Sequence, residues 1–346
     1  MNYDAPWWLP GGNLQTIWSA KVARSLPPER LAHPPQFRRE RWAAPDGDFV
    51  DVDFLVSTGQ AEPGAQVAPA RAQPLVVMFH GLEGSSQSHY ALAMAAFCQA
   101  HQLAFAVPHF RGCSGELNLA PRAYHSGDFE EIGWILQRLK TQHSVGKNGR
   151  EGGPVVALGV SLGGNALLRW AEEAGAQAAK TVASVASVCS PIDLAASGQA
   201  IGRGFNRLVY TRMFLNSMKP KALRKLAQHP GLFDRNAMLQ SRDLYEFDNI
   251  VTAPIHGFKD TDDYWQRASA KPHLHQIRIP ALVVNALNDP FVPKASLPQH
   301  QHQVGPFVRL WQPAQGGHVG FAAGGFPGHL RTIPETVGNW LVSHSR

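Results

Sequence analysis

The chain has 346 residues, 44% of them apolar and 17% charged, and a formal net charge of +6. That length holds either one large α/β domain with an insertion or two small domains, and the composition excludes a disordered chain. The basic excess is scattered apart from Arg38, Arg39 and Arg41. Such a cluster suits a solvated edge strand, not the concentrated, aromatic-interleaved basic face that a nucleic-acid partner needs.

The opening MNYDAPWWLPGGNLQ carries no positive n-region and no apolar h-region, so no signal peptide is expected. No apolar run reaches the roughly eighteen residues that cross a bilayer, so stable membrane insertion is not expected either. Three cysteines without a CxxC pair fit a reducing compartment, and a cytoplasmic location follows as the expectation. The string Trp7-Trp8-Leu9-Pro10 reads either as an interfacial anchor or as packing on the domain body or cap. With no amphipathic helix beside it, packing is favoured.

Val50, Val52, Phe54 and Val56 alternate with Asp51 and Asp53 as in a half-buried strand. The Ala/Pro/Gln/Gly-rich stretch from Ser57 to Pro74 has no periodicity and reads as a surface loop. Compact apolar runs then recur at Leu75 to Phe79, Ala104 to Val107, Val155 to Leu158 and Ala281 to Leu287, suiting parallel strands covered on both faces. Amphipathic stretches lie between them: Tyr90 to His101, Asp128 to Lys140 and Asn165 to Ala174. Thr181 to Cys189 and Phe307 to Trp311 read as further strands. This alternation predicts an α/β class with a mostly parallel, doubly wound sheet. The segment from Pro191 to Pro280 is far longer than a crossover helix needs, and its short helical patterns predict a helical cap over residues 192–279, inserted in one domain spanning 1–346.

Gly159-Val160-Ser161-Leu162-Gly163 follows the strand Val155 to Leu158 directly and opens a helix. In that context GxSxG is a nucleophile elbow, whose small flanking residues let a strained turn expose the serine hydroxyl. A serine hydroxyl needs a base, and the base needs an acid that fixes its tautomer, in the chain order serine, acid, histidine. Of sixteen histidines, His318 has the fitting address, in a Gly-rich turn after the strand at Phe307 to Trp311. Asp289 follows the strand at Ala281 to Leu287, at the carboxyl end of the sheet where ligands gather. Asp193 is the rival acid. Two backbone amides are expected to form the oxyanion hole: Leu162, next to the nucleophile, and Leu82, in the turn His80-Gly81-Leu82-Glu83-Gly84. His80 reads as a structural hydrogen-bonding residue. The string His109 to Gly115 reads either as part of the pocket rim or as a turn held by Arg111, and the turn is favoured.

His80 to Ser85, His109 to Glu116, Tyr124-His125-Ser126-Gly127, Gly159 to Asn165, Asn288 to Pro293 and Gly316 to Phe321 occur in order. Together they resemble the YheT-like esterases of the α/β-hydrolase superfamily. That group also resembles the eukaryotic ABHD1/ABHD3-type lipases and the fungal medium-chain ethyl-ester synthase/esterases. The likeness runs from Gly12-Asn13-Leu14-Gln15-Thr16 to His318. It implies an α/β-hydrolase fold, a Ser161–Asp289–His318 triad, and carboxylester or acylglycerol hydrolysis.

The expected activity is therefore that of a serine carboxylesterase acting on a small-molecule acyl ester, with no cofactor and no metal. The pairs His273/His275 and His300/His302 lack a nearby carboxylate or an HExxH helix. Acyl transfer or thioester hydrolysis would use the same three residues, and a non-catalytic binding module is the alternative of another class. The cap residues Phe205, Leu208, Val209, Met213, Phe214 and Leu215 are expected to face the acyl chain. With no clear interfacial helix, short to medium chains are the expected substrates.

Overall fold

The computed structural model describes residues 1–22, 34–56, 73–144 and 152–345. The loop expected at Ser57 to Pro74 lies outside them except for its last two residues. Eight strands form one sheet: β1 (Phe37–Ala43), β2 (Phe49–Leu55), β3 (Leu75–Phe79), β4 (Ala104–Pro108), β5 (Val155–Val160), β6 (Ser184–Val188), β7 (Ala281–Val284) and β8 (Val308–Trp311). Their spatial order is β1-β2-β4-β3-β5-β6-β7-β8. β2 runs antiparallel to both its neighbours, and every pair from β4 to β8 is parallel.

The central strands are buried on both faces, which is why they read as unbroken Val/Leu/Ala runs. Helices α3 (Phe129–Ser144) and α4 (Leu162–Ala174) contribute Ile132, Ile135, Leu136, Leu167 and Leu168 to the core on one face. Helix α2 (His89–Ala100) contributes Met94, Ala95 and Phe97 to the core on the other. Helix α1 (Gly12–Lys21) precedes the sheet. Its apolar periodicity is weak, and the sequence reading has no element there.

β2 departs from the half-exposed alternation expected of it. Asp51 and Asp53 are buried along with the valines, because each is neutralised across the β1–β2 pair. Arg41 Nε reaches Asp51 at 2.8 Å, Arg39 Nε reaches Asp53 at 2.7 Å, and His109 Nε2 meets Asp53 at 2.9 Å. A buried carboxylate without such partners would be costly. The arginine cluster is thus half solvated and half structural. Arg111 does hold a turn: it binds Asp46 and Asp48 at 2.8 Å each and Glu131 at 2.5 Å.

Between β6 and β7 the chain leaves the sheet for a set of short helices. α5 (Leu194–Ile201) is capped by Asp193, whose carboxylate accepts the Ala196 N–H at 3.1 Å. Residues 204–228 then run helically, with a π turn at Arg207–Thr211 leading into Arg212–Gln228. The helix Thr261–Ala268 brings the chain back. These helices have a small core of their own, with Leu215, Ala222, Met238, Phe247 and Val251. Asn165 on α4 fastens the return, donating to Ala268 O at 2.7 Å and accepting the Ala270 N–H at 3.1 Å. No helix among the described residues is long and apolar enough to cross a membrane.

Trp7 is 92% exposed, whereas Trp8 packs edge-on against Trp18 on α1, with ring centroids 5.5 Å apart. Only the second of the two tryptophans therefore packs on the body.

Candidate active site

β5 ends at Val160, and Ser161 turns the chain into α4 with φ 53° and ψ −122°, a left-handed conformation unfavourable for a residue with a Cβ. The flanking glycines make that turn possible. A Cβ on Gly159 would lie 2.3 Å from Gly163 O, and one on Gly163 would lie 2.4 Å from His80 O. The result is a serine at the carboxyl edge of the sheet and at the N-terminus of α4, where the helix dipole favours negative charge.

His318 lies in the loop after β8, and its Nε2 accepts from Ser161 Oγ at 3.0 Å. Its Nδ1 faces Asp289 Oδ2 at 2.9 Å and Oδ1 at 3.2 Å. Asp289 follows β7 and is buried. Its Oδ1 also accepts the Phe291 N–H at 2.8 Å, which fixes the carboxylate plane. The Phe291 ring lies against the imidazole with centroids 4.1 Å apart. The structure thus brings Ser161, His318 and Asp289 into one hydrogen-bonded line. Asp193 is elsewhere engaged, as the cap of α5 and in an ion pair with Lys271 at 3.2 Å.

Leu82 and Leu162 line the same cavity as Ser161 and His318. Two tyrosines hold the turn that presents Leu82. Gly81 N–H donates to Tyr90 Oη at 2.9 Å, and Glu83 N–H donates to Tyr124 Oη at 3.0 Å. His80 sits beneath, fully buried. Its Nε2 accepts the Phe110 N–H at 3.1 Å, so its Nδ1 donates to Gly81 O at 2.8 Å. Burial pushes its pKa down to about 3, which keeps it neutral.

What composition and spacing could not reveal is the support behind His318, which comes from the far end of the chain. Gln15 on α1 is buried, and its Oε1 accepts the Gly316 N–H at 2.9 Å and the Asn288 amide at 2.9 Å. Thr16 Oγ1 accepts the His318 N–H at 2.8 Å. Cys189 at the end of β6 accepts the Val319 N–H at 3.3 Å. The string Gly12 to Thr16 signalled this region only through family resemblance. Among the described residues Cys189, Asp289 and His318 are the grouping whose donors lie close enough to share a metal ion. Burial raises the Cys189 thiol well above its ordinary pKa, which opposes the thiolate a metal would need.

Gln15 supplies a test of positioning. Gln15→Ala leaves the Gly316 N–H and the Asn288 amide without their acceptor, at about 1–3 kcal/mol for each buried group. Thermal stability falls, and kcat falls by roughly 10- to 100-fold with KM nearly unchanged, because the loop carrying His318 relaxes. Wild-type kcat in this variant would show that the loop holds its shape unaided.

A cavity of about 190 Å³ opens over Ser161. Its walls include Leu82, Leu162 and Phe291 from the sheet side, and Leu194, Ile201, Phe214, Met218, Phe247 and Val251 from the inserted helices. Phe214 faces this cavity as expected, but its neighbours do not. Leu215 belongs to the core of the inserted helices, and Phe205, Leu208, Val209 and Met213 point to solvent. Phe205, Leu208, Val209 and Met213 follow a helical pattern, yet a helix has an outer side too.

The eight-stranded sheet, the elbow and the serine–histidine–carboxylate line define an α/β-hydrolase of the serine-hydrolase class. The chain belongs to the α/β-hydrolase family, whose model, described as "alpha/beta hydrolase fold", matches residues 74–324. It is 37% identical over 307 residues to the Escherichia coli protein named "Putative esterase YheT", covering 88% of this chain and 84% of that one. It is 27% identical to mouse "Phospholipase ABHD3", over 90% of this chain and 72% of the relative. The Pyrococcus furiosus esterase Pf2001 has the same fold, with a TM-score of 0.50 at 14% identity over 93% of both chains. So has 2,6-dihydroxy-pseudo-oxynicotine hydrolase, with a TM-score of 0.54 at 15% identity over 90% of this chain and 68% of that one. The protein is an esterase-type hydrolase.

Proposed function

We propose that the protein is a serine carboxylesterase that cleaves short- to medium-chain acyl esters, acylglycerols among them, through an acyl-enzyme. The observation that carries this is the continuous line Ser161 Oγ to His318 Nε2 at 3.0 Å and His318 Nδ1 to Asp289 Oδ2 at 2.9 Å. Ser161 attacks the acyl carbonyl while His318 takes its proton. The amides of Leu82 and Leu162 hold the oxyanion, and His318 returns the proton to the leaving alcohol. Water then enters by the same route and releases the acid. Asp289 keeps His318 in the tautomer that can accept the proton and balances the imidazolium that forms. No cofactor enters this sequence. One domain, 1–346, carries the chemistry, and the cap over 192–279 supplies the acyl-binding wall.

The cavity supports the chain-length limit. Its 190 Å³ is small beside the roughly 300–1,000 Å³ of pockets that take drug-sized ligands, and its cap side is apolar at Phe214, Met218, Phe247 and Val251. Each methylene buried there contributes up to about 0.8 kcal/mol until the wall is met. Across p-nitrophenyl esters from acetate to palmitate, kcat/KM therefore climbs roughly two- to fourfold per added methylene and then falls. A flat series would remove the acyl pocket from the proposal.

A further inference from the structure

The outer side of the helical run 204–228 is unusual for a protein surface. Leu208 is 73% exposed, Phe205 51%, Met213 49% and Val209 36%, all within nine residues of one element. Scattered exposed apolar residues need no explanation, but a contiguous group does. The π turn makes the group contiguous. Arg212 N–H donates to Arg207 O, an i to i+5 register, so residues five apart align on one stripe. Leu208 and Met213 fall on one such stripe and Arg207 and Arg212 on the next, with Phe205 and Val209 following at i, i+4.

Three arginines frame these side chains. Arg203, Arg207 and Arg212 are exposed, and among the described residues none has a carboxylate at ion-pair distance. Glu246 is the acid near enough to sense Arg207, and its carboxyl is taken by Arg242 at 2.8 Å. Apolar side chains beside exposed arginines that make no direct ion pair suit a surface that is hydrocarbon beneath and anionic above.

The inner side of the same run reaches the active site. Phe214 lines the cavity over Ser161. The Tyr210 ring packs edge-on against Phe291 with centroids 4.6 Å apart, and Phe291 packs on His318. One helix diameter, about 10 Å, therefore separates the outer face from the acyl cavity.

We propose that the face formed by Phe205, Leu208, Val209 and Met213 with Arg203, Arg207 and Arg212 docks on an anionic lipid surface, so that the enzyme takes esters dissolved in that surface. The apolar residues enter the headgroup boundary while the arginines meet the lipid phosphates. Docking of this kind is a property of the cap's outer surface and needs none of the three residues of the hydrolytic line.

The test is flotation of the full-length protein with vesicles of phosphatidylcholine, alone or with phosphatidylglycerol as the minor component. Wild-type protein floats with the phosphatidylglycerol vesicles, stays behind with phosphatidylcholine alone, and is released by high salt. Replacing all three arginines by alanine lowers the partition coefficient on the order of 100-fold. The pair Leu208→Ser and Met213→Ser lowers it by at least roughly tenfold. Both variants unfold at the wild-type temperature and hydrolyse soluble p-nitrophenyl butyrate at the wild-type rate. Ser161→Ala floats like wild type, which separates this proposal from the hydrolase mechanism. Absence of flotation with the anionic vesicles, or flotation of the variants at the wild-type level, overturns it. So does a wild-type dimer that Leu208→Ser dissolves in the absence of flotation, since the face would then join two copies of the chain.

Discussion

Ser161→Ala lowers kcat for a soluble ester on the order of 10⁶-fold, with KM little changed and the thermal midpoint at or above that of wild type. The magnitude follows from the way hydrolytic serines act as a unit with their base: once the nucleophile is gone, only positioning and the oxyanion amides remain. The gain in stability has a separate origin. Ser161 is held at φ 53° by its surroundings, and an alanine in the same place carries no hydroxyl to keep desolvated between His318 and the cavity. A fluorophosphonate probe labels the wild-type chain once, on Ser161, because among the described residues it is the serine whose hydroxyl faces a histidine backed by a carboxylate, His318 on Asp289. It does not label the alanine variant. Labelling at a second serine, or wild-type turnover in Ser161→Ala, would refute the mechanism.

Much of this molecule was legible in its sequence because local and global signals agree. The central strands are short Val/Leu/Ala runs since both their faces are covered, and GxSxG is informative since it sits where such a run ends and a helix begins. Asp289 and His318 could be placed from their positions just past late strands. The rest fails for physical reasons. Asp51 and Asp53 looked solvent-facing because their partners are on another strand, and cross-strand pairing leaves no mark in a local window. Gln15 and Thr16 lie some 300 residues from the loop they support, and a buried glutamine has the same letter as an exposed one. The outward turn of Leu208 and Met213 was hidden because periodicity fixes which residues share a face without saying which way that face points.

Asp289→Asn lowers kcat by about 10³- to 10⁴-fold while leaving the fold intact, and Asp193→Asn leaves kcat within a factor of about three. The asparagine at 289 can still offer its carbonyl oxygen to the Phe291 N–H, now at 2.8 Å from Asp289 Oδ1, so the loop after β7 keeps its shape. Its amide nitrogen then occupies the place of Oδ2, 2.9 Å from His318 Nδ1. Two donors cannot face each other, so His318 is driven to the tautomer with its proton on Nε2, pointing at Ser161 Oγ. In that state the imidazole has no lone pair with which to take the serine proton, and the imidazolium of the transition state loses its neighbouring negative charge. Asp193 offers a sharp control. Asparagine caps a helix as well as aspartate does, so the Ala196 N–H stays satisfied and only a half-exposed ion pair with Lys271, worth at most about 1 kcal/mol, is lost. The check is kcat for both variants on one soluble ester, with circular dichroism to establish that each is folded. A severe loss in Asp193→Asn beside a mild one in Asp289→Asn would move the acid to the loop after β6, which would require His318 to turn away from the carboxylate it now faces.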